Sequence, residues 1–152
     1  MAVRSRRLKP LSLIAGVVLS ALTLLAWTQT WFVIVLVAAA TSESAISVTG
    51  GIAAPGLSAF SLAGLALVAA LAIAGPVVRV ILGVLQAAIG VGIAIDSVIA
   101  MGAPIASSSA AITKVTGVTG ADSVASLVAS ASQTAWPWIA VVLGGLITVL
   151  GV

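Results

Sequence analysis

The sequence predicts an all-α membrane protein, a four-helix transmembrane bundle with a small outer β-hairpin and an outer Ser/Ala-rich loop. Three observations predict this class. The chain of 152 residues is 62% hydrophobic and 6% charged, and its mean hydropathy of +1.37 lies outside the range of soluble domains. It contains four long apolar segments, and its four Trp residues form two close pairs beside them. We therefore expect a single integral membrane domain over residues 1–152.

Each of the four apolar segments is just long enough for a short transmembrane helix, because about 20 apolar residues cross ~30 Å of hydrocarbon. They lie at about 11–27, 57–74, 77–95 and 136–152. Between the second and third lies Gly75-Pro76, which predicts a tight antiparallel turn, since Pro suits the first turn of a helix. The last segment ends at Val152, and one expectation is that a polar C-terminal tail follows it in a longer chain.

The distribution of basic residues predicts the orientation in the cell membrane. With the N-terminus in the cytoplasm, five of the six basic residues lie on that side: Arg4, Arg6, Arg7, Lys9 and Arg79. The other side holds Lys114 with Glu43 and Asp122. The positive-inside rule then places both termini in the cytoplasm. The basic flank is expected to contact anionic lipid headgroups rather than nucleic acid.

The N-terminal residues also permit a second interpretation. Residues 5–9 resemble a twin-arginine export signal, and Ala38–Ala40 would offer a small-residue cleavage site. However, the apolar stretch that follows is too long for a signal peptide and ends in Trp. A basic flank that holds the N-terminus inside is the favoured interpretation.

The Trp pairs are predicted to be membrane-interface anchors. Trp27 and Trp31 close the first apolar segment, whereas Trp136 and Trp138 open the last one. Trp favours the boundary between water and lipid, where its ring is half-buried and its N–H finds a partner. Two crossings between the pairs bring both to the same, outer face.

Two outer loops are predicted, at about 28–56 and 99–135. In the first, β-branched runs at 31–37 and 45–49 flank the polar turn 41–44, which predicts a β-hairpin that needs something to pack on. The alternative is that the first helix continues to about Ala40. In the second loop, Ser107–Ser109 is expected at a bend, and 121–132 could form a short interfacial helix.

Two polar residues of the third span are possible intramembrane contacts. Gln86 lies near its middle, and its expected role is an interhelical hydrogen bond, because no second polar residue marks a solute path. Asp96 is expected at the outer boundary as an end-of-helix charge. Small residues at four-residue spacing, such as Gly83/Ala87 and Gly144/Thr148, predict close helix packing.

The chain contains no His, Cys or Tyr. We therefore expect no disulfide, no histidine or thiolate metal site and no cofactor. No acid, base or nucleophile constellation appears, so an enzyme is not expected and no catalytic residue is assigned.

Several short runs carry a resemblance to a known family. They are AWTQTW at 26–31, VTG at 48–50, AAP at 53–55, LSA at 57–59, GVTGA at 117–121 and, most specifically, TAWPW at 134–138. Together these runs resemble the actinobacterial tryptophan-operon-associated transmembrane proteins, over nearly the whole chain. The resemblance implies four helices and a name taken from gene neighbourhood, and it supplies no chemistry. This chain departs from the family pattern in lacking a basic tail after the last helix.

Two functions remain open from the sequence. The first is a non-catalytic accessory or structural subunit of a larger membrane complex, for example a respiratory assembly. The second is a small transporter or permease accessory linked to tryptophan or its biosynthesis. The expected partners are the lipid bilayer and other membrane subunits.

Overall fold

The computed structural model describes the backbone of residues 2–37 and 45–152, and side chains from residue 11 onward within those ranges. The chain is mostly helical, at 76%. The elements in order are α1 Ala2–Thr28, β1 Thr30–Leu36, β2 Ala45–Thr49, α2 Gly50–Ala53, α3 Gly56–Ile73, α4 Pro76–Gly102, α5 Pro104–Thr116, α6 Ala121–Ser126, β3 Val128–Gln133 and α7 Trp136–Gly151. The predicted turn 41–44 with Glu43 lies outside the described residues, as do the side chains of Arg4, Arg6, Arg7 and Lys9.

The four long helices form a ring in which neighbours are antiparallel or nearly so. Helix α1 packs against α3 and α7, and α4 packs against α3 and, most extensively, α7. Three of them, α1, α3 and α4, contain stretches long and apolar enough to cross a membrane. Helix α7 is apolar but shorter, at 16 residues. Three spans are thus supported, and the fourth stays a prediction.

Helices α4 and α7 approach each other at glycine positions. A Cβ added to Gly90 would lie 2.5 Å from the carbonyl oxygen of Gly144, and one added to Gly144 would lie 2.7 Å from that of Gly90. Gly83 and Gly151 show the same reciprocal contact, at 2.7 and 2.5 Å. The backbones touch because neither helix carries a side chain there. The close packing predicted from the small-residue spacing is confirmed at this interface.

The remaining elements form what we call the cap, which comprises α2, α5, α6 and the three strands at one end of the helix ring. Strands β1 and β2 are antiparallel, so the predicted hairpin is confirmed and the alternative of a helix continuing to Ala40 is wrong. Strand β3 pairs antiparallel with the other edge of β1, giving the order β2-β1-β3. The hairpin therefore packs on the second loop. Its buried face contributes Phe32, Ile34 and Leu36 to the core.

Three expectations for the second loop are wrong. Helix α4 continues past Ile95 to Gly102, so the loop does not begin near 99. The bend lies at Ala103-Pro104, and Ser107–Ser109 are inside α5. The helix that begins at Ala121 ends at Ser126, and the chain then becomes strand β3. The physical reason for this last difference is the free edge of β1. Its unpaired backbone N–H and C=O groups are satisfied by pairing with a strand and not with a helix.

Candidate functional site in the bundle interior

Gln86 lies in the interior of the helix ring with 1% of its surface exposed. It shares the buried face of α4 with Gly90, Ile93 and Ser97. Neither its Nε2 nor its Oε1 has a hydrogen-bond partner among the described residues. The predicted interhelical hydrogen bond is therefore wrong. A primary amide normally uses two donors and an accepting oxygen, so a buried amide without partners is a costly group.

Ser20 of α1 is a second buried polar group without a partner. It is fully buried, and its Oγ makes no hydrogen bond within the described part of the chain. It lies against α3, where a Cβ on Gly64 would be 2.8 Å from Ser20 Oγ and 4.0 Å from Cγ2 of Ile89. Ile89 is three residues from Gln86 on α4, so Ser20 and Gln86 lie within about one helical turn, ~5 Å, along the bundle axis.

The other buried hydroxyls of the helix ring differ from Ser20 because they are satisfied within their own helices, whereas Ser108 of α5 in the cap is also buried without a partner among the described residues. Thr23 Oγ1 donates to the carbonyl of Leu19 at 2.9 Å, Ser61 Oγ to that of Leu57 at 2.7 Å, and Ser97 Oγ to that of Ile93 at 2.8 Å. Ser20 was not singled out from the sequence. The expectation that no second polar residue marks a solute path beside Gln86 stays a prediction, and Ser20 is the residue that bears on it.

Asp96 is half-buried on α4, beside the N-terminus of α3. A Cβ on Gly56 would lie 2.9 Å from its Oδ2, and the carboxylate faces the backbone N–H of Gly56. Because α4 continues to Gly102, Asp96 does not mark the end of its own helix as expected. Its negative charge instead faces the N-terminal end of α3, where the helix dipole favours it.

The Trp pairs lie at the same end of the helices, where Thr134 N–H donates to the carbonyl of Trp31 at 2.9 Å. Trp31 has no exposed surface, and its Nε1 donates to the carbonyl of Ala26 at 2.8 Å. Its ring therefore packs inside the protein and not in a headgroup layer. Trp27 and Trp136 are half-buried, whereas Trp138 is 62% exposed. For the exposed parts of these three rings, anchoring stays a prediction.

Gly50 explains how the buried ring of Trp31 is accommodated. A Cβ on Gly50 would lie 2.7 Å from Trp31 Nε1 and 2.9 Å from the carbonyl oxygen of Trp27. The start of α2 thus requires glycine for the ring to fit.

At the opposite end of the bundle, Arg79 lies in the first turns of α4 and its Nη2 donates to the carbonyl of Ala74 at 3.2 Å. This contact ties the α3–α4 turn together.

The described residues hold no group of three or more side chains that could bind a metal ion.

Residues 13–152 match a family model described as tryptophan-associated transmembrane protein. Neither the curated proteins nor the solved structures contain a match to this chain.

Proposed function

This chain belongs to the tryptophan-associated transmembrane protein family, and on that premise we propose that it is a non-catalytic accessory or structural subunit of a larger complex in the cell membrane. Membrane association itself follows from the family and from the three apolar helices. The docking role, the multi-pass topology with a cytoplasmic N-terminus and the identity of the complex belong to the proposal.

The observation that carries the docking role is the exposed strand β3. Ala129 to Gln133 are all exposed, and β3 pairs only with β1 among the described strands. The strand contains no charged residue and no Pro, which are the devices that proteins commonly use to block pairing at a sheet edge. An unblocked edge accepts an extended segment of another protein through main-chain hydrogen bonds. The proposed occupant is such a segment from another subunit of the same membrane.

A charge on this edge should release the partner. We expect Ala131→Lys to reduce the amount of co-purifying subunit at least tenfold after extraction in mild detergent, because a lysine on an edge strand opposes further strand pairing. The matched control is Ala110→Lys, which adds the same charge to an exposed position of α5 that is not part of the strand edge. The measurement is quantitative mass spectrometry of the purified samples. The proposal would be contradicted if the chain were isolated as a homo-oligomer without foreign subunits. It would also be contradicted if both variants lost equal amounts of the co-purifying subunit.

A second candidate function is a small transporter or permease accessory linked to tryptophan, of which the family description supports only the association with tryptophan. The unpartnered polar atoms of Gln86 and Ser20 favour it, because polar groups inside a membrane bundle commonly mark a solute path. Transport through a bundle of this size would require association of several chains.

Tryptophan uptake tests this second function directly. If the chain takes part in transport, we expect a strain that lacks it to take up labelled tryptophan more slowly, and a plasmid copy to restore the rate. Uptake of an unrelated amino acid serves as the control for membrane energisation. Unchanged tryptophan uptake in the deletion strain would remove this candidate.

A further inference from the structure

The cap contains a cleft between α5 and α6, and its lining includes neither Gln86 nor any residue of strand β3. We call it the α5–α6 cleft. Its volume is about 510 Å³, which is within the range of small-molecule sites. Its apolar lining comprises the exposed Ala106 and Ala125, the half-buried Ile105 and the buried Val124.

The turn between the two helices contributes Thr119 and Gly120 to the lining of this open cleft. Gly117 adopts a left-handed conformation with φ of 71° and its N–H donates to the carbonyl of Thr113 at 2.8 Å. Thr113 Oγ1 donates to the carbonyl of Val118 at 2.8 Å. At the start of α6, the N–H of Val124 donates to the carbonyl of Gly120 at 2.9 Å. These bonds fix the turn that joins the two walls, and a turn fixed in advance lowers the cost of ordering the cleft around a ligand.

Three polar groups line the cleft without an internal partner. The exposed Asp122 contributes a carboxylate, and the half-buried Ser109 and exposed Thr119 contribute hydroxyl groups, none of which has a hydrogen bond or ion pair within the described part of the chain. Thr113 also lines the cleft, but its hydroxyl group already donates a hydrogen bond to the carbonyl of Val118. An apolar wall with a few free acceptors, one of them charged, is the usual composition of a site for a small amphipathic ligand.

The negative charge of Asp122 favours a positively charged ligand. We propose that the α5–α6 cleft binds a small organic ammonium ion with an apolar body, whose charged nitrogen is held by Asp122. A carboxylate ligand is disfavoured because Asp122 would repel it, and Lys114, the nearest basic residue in the sequence, does not line the cleft. A single carboxylate is too few ligands for a divalent cation. The hydroxyl groups of Ser109 and Thr119 are acceptors for the remaining ammonium hydrogens.

The absence of native cysteine makes the cleft directly testable. A single cysteine in Ala125→Cys places a thiol in the cleft, and its rate of reaction with a maleimide reports occupancy in the full, detergent-solubilised chain. Three probes share one apolar body and differ in charge: phenethylamine, 3-phenylpropionate and phenylalanine. We expect phenethylamine alone to slow the reaction in a saturable manner. Ala110→Cys, on α5 outside the cleft, should react at an unchanged rate.

Asp122→Asn in the Ala125→Cys background should raise the half-protecting concentration of phenethylamine about tenfold or more, because a charge-assisted hydrogen bond is replaced by a neutral one. Lys114→Gln, which alters a charge outside the cleft, should leave that concentration unchanged. Protection by 3-phenylpropionate or phenylalanine as strong as that by phenethylamine would overturn the proposal. Failure of all three probes to protect, or an Asp122→Asn variant with unchanged affinity, would also overturn it.

Discussion

Gly144→Val is expected to destabilise the helix bundle by about 3 kcal/mol, the upper part of the range for overpacked cores. The Cβ alone would lie 2.7 Å from the carbonyl oxygen of Gly90 and 2.9 Å from the backbone nitrogen of Ala94. Both neighbours are backbone atoms of α4, so neither can move aside without displacing that helix. The expected result is a separation of α4 from α7, with loss of the contacts along the whole interface.

The neighbouring residue provides a matched control. A Cβ on Gly145 meets nothing within 4 Å, so Gly145→Val makes the same chemical change one position along the same helix without the clash. We expect the free energy of unfolding of Gly145→Val to lie within about 0.5 kcal/mol of that of the parent chain, as is usual for surface substitutions. The measurement is equilibrium unfolding by sodium dodecyl sulfate in mixed micelles, followed by Trp fluorescence. Equal stability of the two valine variants would contradict the close α4–α7 contact.

This interface illustrates what could be predicted from the sequence. The spacing of Gly83 and Ala87 on α4, and of Gly144 and Thr148 on α7, predicted close packing because small residues four apart lie on one helix face. It could not identify which helices would meet, because each helix of the ring carries such a pair. The partner is decided by the summed packing of whole helices, which local spacing does not encode.

The cap shows the same limit in another form. The β-branched residues of β1 made a hairpin predictable, because they suit a pleated and half-buried surface. Strand β3 was not predictable from Ala129–Gln133, which have little intrinsic strand preference and fit a helical pattern equally well. Their conformation depends on the free edge of β1, which lies about 100 residues earlier in the chain, as the hydrogen bond from Ser132 to Val33 shows. Such a long-range cause leaves no local signal.

The contrast between Trp31 and Gln86 shows how burial changes an assignment made from residue type. Trp31 was assigned to the membrane interface because Trp is common there, but its ring is enclosed between the end of α1 and Gly50. Gln86 was assigned an interhelical hydrogen bond because no second polar residue marks a solute path, but its amide has no partner among the described residues. In each case the residue type indicated the average environment of that side chain, and the packing of distant elements decided the actual one.

Gln86→Leu is expected to stabilise the folded chain by about 1–3 kcal/mol, which is the cost of burying an amide without partners as measured in proteins. Leucine has a similar volume and leaves no polar atom in the interior, so the substitution removes the cost without creating a large cavity. Ser61→Ala is the control, because it removes a hydroxyl that does have a partner, the carbonyl of Leu57. We expect that variant to show no gain in the same unfolding measurement.

The functional readouts of Gln86→Leu separate the two candidate functions. In an accessory subunit, the amide contributes nothing to docking through β3, so the stabilised variant should retain its co-purifying partner and leave tryptophan uptake unchanged. In a transporter, the amide contacts the solute, and the stabilised variant should lose uptake because a transient partner in the path has been removed. Destabilisation by more than about 1 kcal/mol would instead mean that the amide is hydrogen-bonded in the folded protein, since losing a made bond costs about that much. A gain in stability accompanied by a loss of uptake would show that the Gln86 amide destabilises the folded bundle but is needed to contact the transported solute.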